Sequence, residues 1–146
     1  MIPLQHRTVV VPIDFSGETE EAIRSGIDRV TDVGRLHIVH VLYPLDYTSP
    51  GVMWNTVTDE SRKEAVEKKL EELLEAVDAS EAVVSVLVGD AGLKVTEYAK
   101  DVNADLIVVP SHGYHGVKRL LLGSTAERIV RYAHCPVLVL RRKDAD

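Results

Sequence analysis

Apolar positions along the chain follow two alternating periods. Short β-branched runs are separated by stretches with an apolar residue every third or fourth position, which predicts strands and helices in turn. Thr8 to Ile13, TVVVPI, is a near-continuous apolar run of the kind buried on both faces of a parallel sheet. Behind Ser16 as cap, a helix is predicted from Gly17 to Val30, with Ala22, Ile23, Gly26, Ile27 and Val30 as one stripe. Gly34 marks a turn. Leu36 to Leu42 is a second strand, with His37, Val39 and Val41 on one face and Ile38 and His40 on the other. A helix from Asp59 to about Val77 turns Leu70, Leu73, Leu74 and Val77 inward. Ala82 to Val88 is a third strand, and Gly89-Asp90 leads into a helix from about Gly92 to Val102. Leu106 to Val109 forms a fourth strand that Pro110 ends. Ser124-Thr125-Ala126-Glu127 fits a capping box at the start of a helix reaching Ala133, and Val137 to Arg141 is a fifth strand.

This order predicts an α/β fold, a doubly wound five-stranded parallel sheet with four helices and right-handed crossovers. The expected strand order is 3-2-1-4-5. Its topological switch lies between the first and fourth strands, and ligands bind in the crevice at the carboxyl ends of such strands. Asp14 and the segment from Ser111 to Thr125 meet there, so a small-molecule site is expected. Gly113, Gly116 and Gly123 give that segment backbone freedom. The helix after it offers unsatisfied N–H groups that attract anions.

Composition narrows the function. With 146 residues, 45% hydrophobic and 27% charged, one domain spanning 1–146 is expected. Cys135 is the only cysteine, which excludes an intrachain disulfide, and residues 1–15 lack the pattern of an export signal. A cytoplasmic protein is expected. The net charge of -6 argues against a general nucleic-acid or anionic-membrane binder. Lys118, Arg119, Arg128 and Arg131 nevertheless gather around the glycine loop, where they could steer a polyphosphate. His112 and His115 lack further ligands for a zinc site, and His37 and His40 face opposite ways, so hydrogen-bonded imidazoles are expected there. Neither a Ser/His/Asp set nor a Walker lysine is recognisable, which speaks against an enzyme. Residues 43–57, with Tyr43, Tyr47 and Trp54, form a long connection that is a candidate lid or partner surface.

The segments VVVPIDFS, HIVHV, VGD, ADLIVVPSHG and LLLGSTAERIVRYAHCPVLVLR together resemble the universal stress protein family over nearly the whole chain. The resemblance implies an adenine-nucleotide alpha-hydrolase-like (Rossmann-like) fold and a stress-response protein acting as a dimeric binding or signalling module. Members that bind ATP carry Gly-x2-Gly-x9-Gly-[Ser/Thr] after the fourth strand. Here the second glycine is Gly113 and the final pair is Gly123-Ser124, while Pro110 stands in place of the first glycine. Carried over by position, Pro12, Ile13, Asp14 and Val41 line an adenosine pocket. Gly113, Gly123, Ser124 and Thr125 hold the phosphates of ATP, accompanied by Mg2+, and Val109, Pro110 and His112 lie alongside. A lost donor at Pro110 implies weaker binding that Pro110→Gly would partly recover. The resemblance also implies a homodimer in which the strands Val137 to Arg141 of two subunits pair antiparallel. The alternatives are a ligand-free homodimer and a slow ATP hydrolase.

Overall fold

The computed structural model describes residues 5–45, 58–111 and 122–141. Five strands and four α-helices alternate along them. These are β1 (Val9–Pro12), α1 (Thr19–Arg29), β2 (Leu36–Leu42), α2 (Asp59–Ala76), β3 (Val83–Val88), α3 (Ala91–Asp101), β4 (Leu106–Pro110), α4 (Ser124–Tyr132) and β5 (Val137–Leu140). The strands form one sheet in the order β3-β2-β1-β4-β5. Every pair is parallel, as the alternation of periods predicts.

Period two in the strands divides the core into two layers. Val9, Val11 and Ile38 face α1 and α2, packing with Ile23, Leu70 and Leu74. Val10, Val39 and Ile107 face the other way, onto Val95 and Ala99 of α3 and Ile129 of α4. Burying each Val, Leu or Ile in these layers stabilises the fold by about 1.5–3 kcal/mol before entropy is counted. Gly26 lets α1 lie directly on the sheet. A Cβ there would sit 2.7 Å from Cγ2 of Val11 and 2.9 Å from Cδ1 of Leu36.

Two helix starts differ from the sequence expectation. First, α1 begins at Thr19 and not beside Ser16. Ser16 is used in a turn, where its carbonyl accepts from Thr19 N at 3.1 Å and its Oγ lies a long 3.4 Å from Glu18 N. Second, α4 begins at Ser124 itself, with Gly123 as its cap residue and, among the described residues, no side chain bonded across the end. The capping box expected at Ser124 is therefore absent, because Ser124 is already helical and Glu127 N bonds the carbonyl of Gly123 at 2.9 Å. By contrast α2 has a complete box, in which Ser61 N donates to Thr58 Oγ1 at 3.0 Å and Thr58 N to Ser61 Oγ at 3.1 Å. None of the described helices is long and apolar enough to cross a membrane.

Candidate functional site

The sheet splits where β1 and β4 each end in a proline. The β1–β2 register runs to Pro12↔Val39 and the β4–β5 register to Pro110↔Leu140. Between β1 and β4 the register stops at Val10↔Ile107, although both strands continue. Ile13 N donates to Val39 O at 2.9 Å and Ser111 N to Leu140 O at 2.8 Å. Successive nitrogens of a parallel strand point to alternate neighbours, so the nitrogens of Pro12 and Pro110 are aimed at each other's strand. Neither carries a hydrogen. Two consecutive rungs cannot form, and β1 and β4 part at their carboxyl ends. Pro110 is thus the last residue of β4 and half of a pair that opens the crevice, a role its position in the sequence motif does not suggest.

A cavity of about 440 Å³ occupies that crevice, within the usual range for small-molecule sites. Nine of the eleven residues expected there line it: Pro12, Ile13, Asp14, Val41, Val109, Pro110, Gly123, Ser124 and Thr125. His112 and Gly113 lie outside the described residues, as do His115, Gly116, Lys118, Arg119 and most of the long connection, 46–57.

The loop after β1 holds Asp14 in place. Asp14 Oδ1 accepts from Ser16 N at 3.0 Å, and the turn puts Phe15 at φ 63°, a conformation costing a non-glycine residue about 1–2 kcal/mol. Packing offsets that cost. The Phe15 ring lies 4.8 Å from the His40 ring, with Lys69 Nζ 4.3 Å from its centroid. His40 Nδ1 is 2.7 Å from the Ile13 carbonyl; a carbonyl only accepts, so Nδ1 bears the proton. On the opposite face His37 Nδ1 meets Tyr98 Oη at 2.7 Å. Burial lowers the His37 pKa and the Arg35 charge adds to this, which favours the neutral ring. Both histidines are hydrogen-bonded on opposite faces, as the alternation predicts. Among the described residues no group of three or more His, Cys, Asp or Glu is placed to hold a metal ion.

The start of α4 forms another wall. Gly123 N donates to Ser111 O at 2.7 Å, which ties the helix start to the end of β4. Among the described residues no side chain is bonded across that end, so the first-turn N–H groups can serve a ligand. Of the cations expected to steer an anion, Arg128 is engaged with Asp90 Oδ1 at 2.6 Å and Arg131 with Glu127. Asp90 caps α3 by accepting from Leu93 N at 3.0 Å. That bond, with Arg128 assisting, holds its carboxyl below the usual carboxylate range despite an opposing desolvation effect. Beside it, Gly89 lines the cavity at φ +144°, where a Cβ would meet the Lys94 side chain at 2.8 Å.

Sequence reasoning missed Arg62, which also lines the cavity. Its Nη2 donates to the carbonyl of Tyr43 at 2.6 Å and its Nη1 lies 3.3 Å from Asp59 Oδ1. Nothing in the charge pattern of α2 separates it from the solvated residues around it. The usable signal is its place one residue after the Thr58–Ser61 box, which directs the first turn toward the sheet's carboxyl edge.

Comparison with known proteins agrees with this architecture. The model of the universal stress protein family matches residues 5–141. The universal stress protein MJ0531 of Methanocaldococcus jannaschii is 31% identical over 145 residues, covering 94% of this chain and 83% of its own. The solved structure of the hypothetical protein MJ0577 is 25% identical with a TM-score of 0.77, covering 95% of this chain and 98% of its own. A universal stress protein solved in complex with cAMP is 22% identical with a TM-score of 0.61, covering 94% and 98%. One from Archaeoglobus fulgidus in complex with dAMP is 19% identical with a TM-score of 0.57, covering 92% and 98%. These last two share the fold.

Proposed function

The chain belongs to the universal stress protein family, and we propose that it is a member that binds ATP in the crevice between β1 and β4. The observation that carries this reading is the cavity lined by Pro12 and Pro110, with Asp14 at one strand end and the start of α4 beside it. The cAMP and dAMP complexes of fold relatives support an adenine nucleotide as ligand class. In this reading the Asp14 carboxylate accepts hydrogen bonds from ribose hydroxyls, and Val41 packs on the adenosine. Ser124 and Thr125 present N–H groups to phosphate next to Gly123, whose own N–H is held by Ser111 O, and His112 and Gly113 are assigned to the same end. Asp14 is the only carboxylate among the described residues lining the cavity, so Mg2+ is held mainly through phosphate oxygens and water. Binding needs no reaction of its own.

Titration calorimetry with Mg-ATP tests the reading. One ATP per chain is expected for the wild type. Asp14→Ala should bind about ten- to a hundredfold more weakly, the equivalent of a lost charged hydrogen bond. A wild type giving no binding heat at millimolar ATP would remove the proposal.

The partner we propose is a second copy of the chain. β5 is an edge strand whose four residues are all half-buried, and an open apolar edge invites pairing. Since Ser111 N bonds Leu140 O, alternation leaves the N–H groups of Val137 and Val139 on the open side. Sedimentation at micromolar concentration should give twice the 16.1 kDa of one chain. Val139→Pro, which deletes one of those donors, should shift it toward monomer; a wild-type monomer at that concentration would count against the dimer.

A further inference from the structure

Resting on the nucleotide reading, we infer that Tyr43 and Arg62 form the base-recognising end of the cavity. Tyr43 supplies the stacking ring and Arg62 is the residue that positions it. The strand order sets the span: the phosphate end lies at the start of α4, beyond β4, and Tyr43 follows β2 directly. Only β1 stands between, so the two ends are separated by two strand spacings, about 10 Å. That matches the reach of a 5′-nucleotide from phosphate across ribose to base. Asp14, beyond β1, falls in the middle, where the ribose would sit.

Exposure and anchoring single out Tyr43. It is 81% exposed, the highest value among the described large apolar residues, yet it lines the cavity. A lone exposed aromatic means little by itself. This one has a backbone fixed from two directions. Arg62 Nη2 holds its carbonyl at 2.6 Å, and Gly89 N holds the carbonyl of Leu42 at 2.9 Å. Arg62 is fixed in turn by Asp59 at 3.3 Å and by the capping box that starts α2. Its side chain is only 21% exposed. A half-buried guanidinium thus joins the end of β2 to the start of α2 at the cavity wall. A tyrosine ring loses little freedom when a planar base settles on it, and stacking accepts any base through its π-face, so the loss on removing the ring should extend to GTP.

Titrating Mg-ATP into Tyr43 variants tests this. Tyr43→Ala should weaken binding about tenfold, in line with base–aromatic stacking elsewhere. Tyr43→Phe should match the wild type and Tyr43→Leu should be as weak as the alanine variant. Because the side chain is exposed, all three should melt like the wild type. Arg62→Ala should show the same loss, and adding it to Tyr43→Ala should cost nothing more. Full affinity in Tyr43→Ala, with ATP still bound by the wild type, overturns the inference and leaves the nucleotide reading standing. Full affinity in Tyr43→Leu overturns the stacking role. A further loss from Arg62→Ala on the Tyr43→Ala background means that Arg62 touches the ligand, which overturns its positioning role. A wild type that binds no ATP removes both readings together.

Discussion

Thr125→Glu should lower ATP affinity at least a hundredfold while leaving the ligand-free protein as stable as the wild type or slightly more so. The opposite signs come from one cause. Thr125 is exposed in the first turn of α4, an end that no side chain among the described residues caps. A carboxylate there interacts favourably with the helix dipole, by about 0.3–1 kcal/mol. It also meets any phosphate bound at that end. Two unit charges 4 Å apart repel by about 4 kcal/mol at the effective dielectric of a protein surface, so a hundredfold loss survives substantial screening. Thr125→Gln has similar size without the charge and should keep most of the affinity. Thermal melts and Mg-ATP titrations of the two variants provide the check. Equal binding by the glutamate and glutamine variants would place the phosphates elsewhere.

The double variant Pro12→Val, Pro110→Val should lose ATP binding almost completely. It restores two donors aimed at each other's strand, so the β1–β4 ladder can extend past Val10↔Ile107 and close the crevice. Two added backbone hydrogen bonds contribute about 1–3 kcal/mol. Greater freedom of the unfolded chain at each lost proline offsets this by about 0.4–1 kcal/mol. Stability therefore changes little, and affinity is the readout that discriminates. The same geometry reverses the sequence-based expectation for Pro110→Gly. An N–H added at position 110 points toward Pro12, so the single change should not tighten binding. A double variant that binds ATP as well as the wild type would show that the prolines do not make the site.

The fold was legible because its signals are redundant. Four apolar runs and a β-branched fifth alternate with amphipathic stretches, and a parallel sheet is the arrangement that buries all of them. Most of the cavity lining among the described residues was legible too, since the strand order brings Asp14 and residues 123–125 to one crevice. The boundaries of α1 and α4 were misplaced by local competition. At Ser16 the backbone turns through Phe15 at φ 63° before the helix can begin, and at Ser124 the helical conformation starts one residue early. Pairwise geometry explains what stayed hidden. Arg62 matters through the carbonyl of Tyr43, 19 residues away, and no periodicity in α2 records that contact. Likewise Pro12 reads as one member of an apolar run and Pro110 as a strand end and a motif departure. Their shared role is visible only once the strand order sets them on neighbouring strands.

The location of bound nucleotide is the central claim, and amide chemical-shift mapping of isotope-labelled protein during a Mg-ATP titration tests it most directly. The account predicts that the largest shifts fall on Asp14, Val41, Gly123, Ser124 and Thr125, around the gap between β1 and β4, with Tyr43 following. Saturable ATP binding that leaves these amides unmoved and shifts residues elsewhere would contradict it.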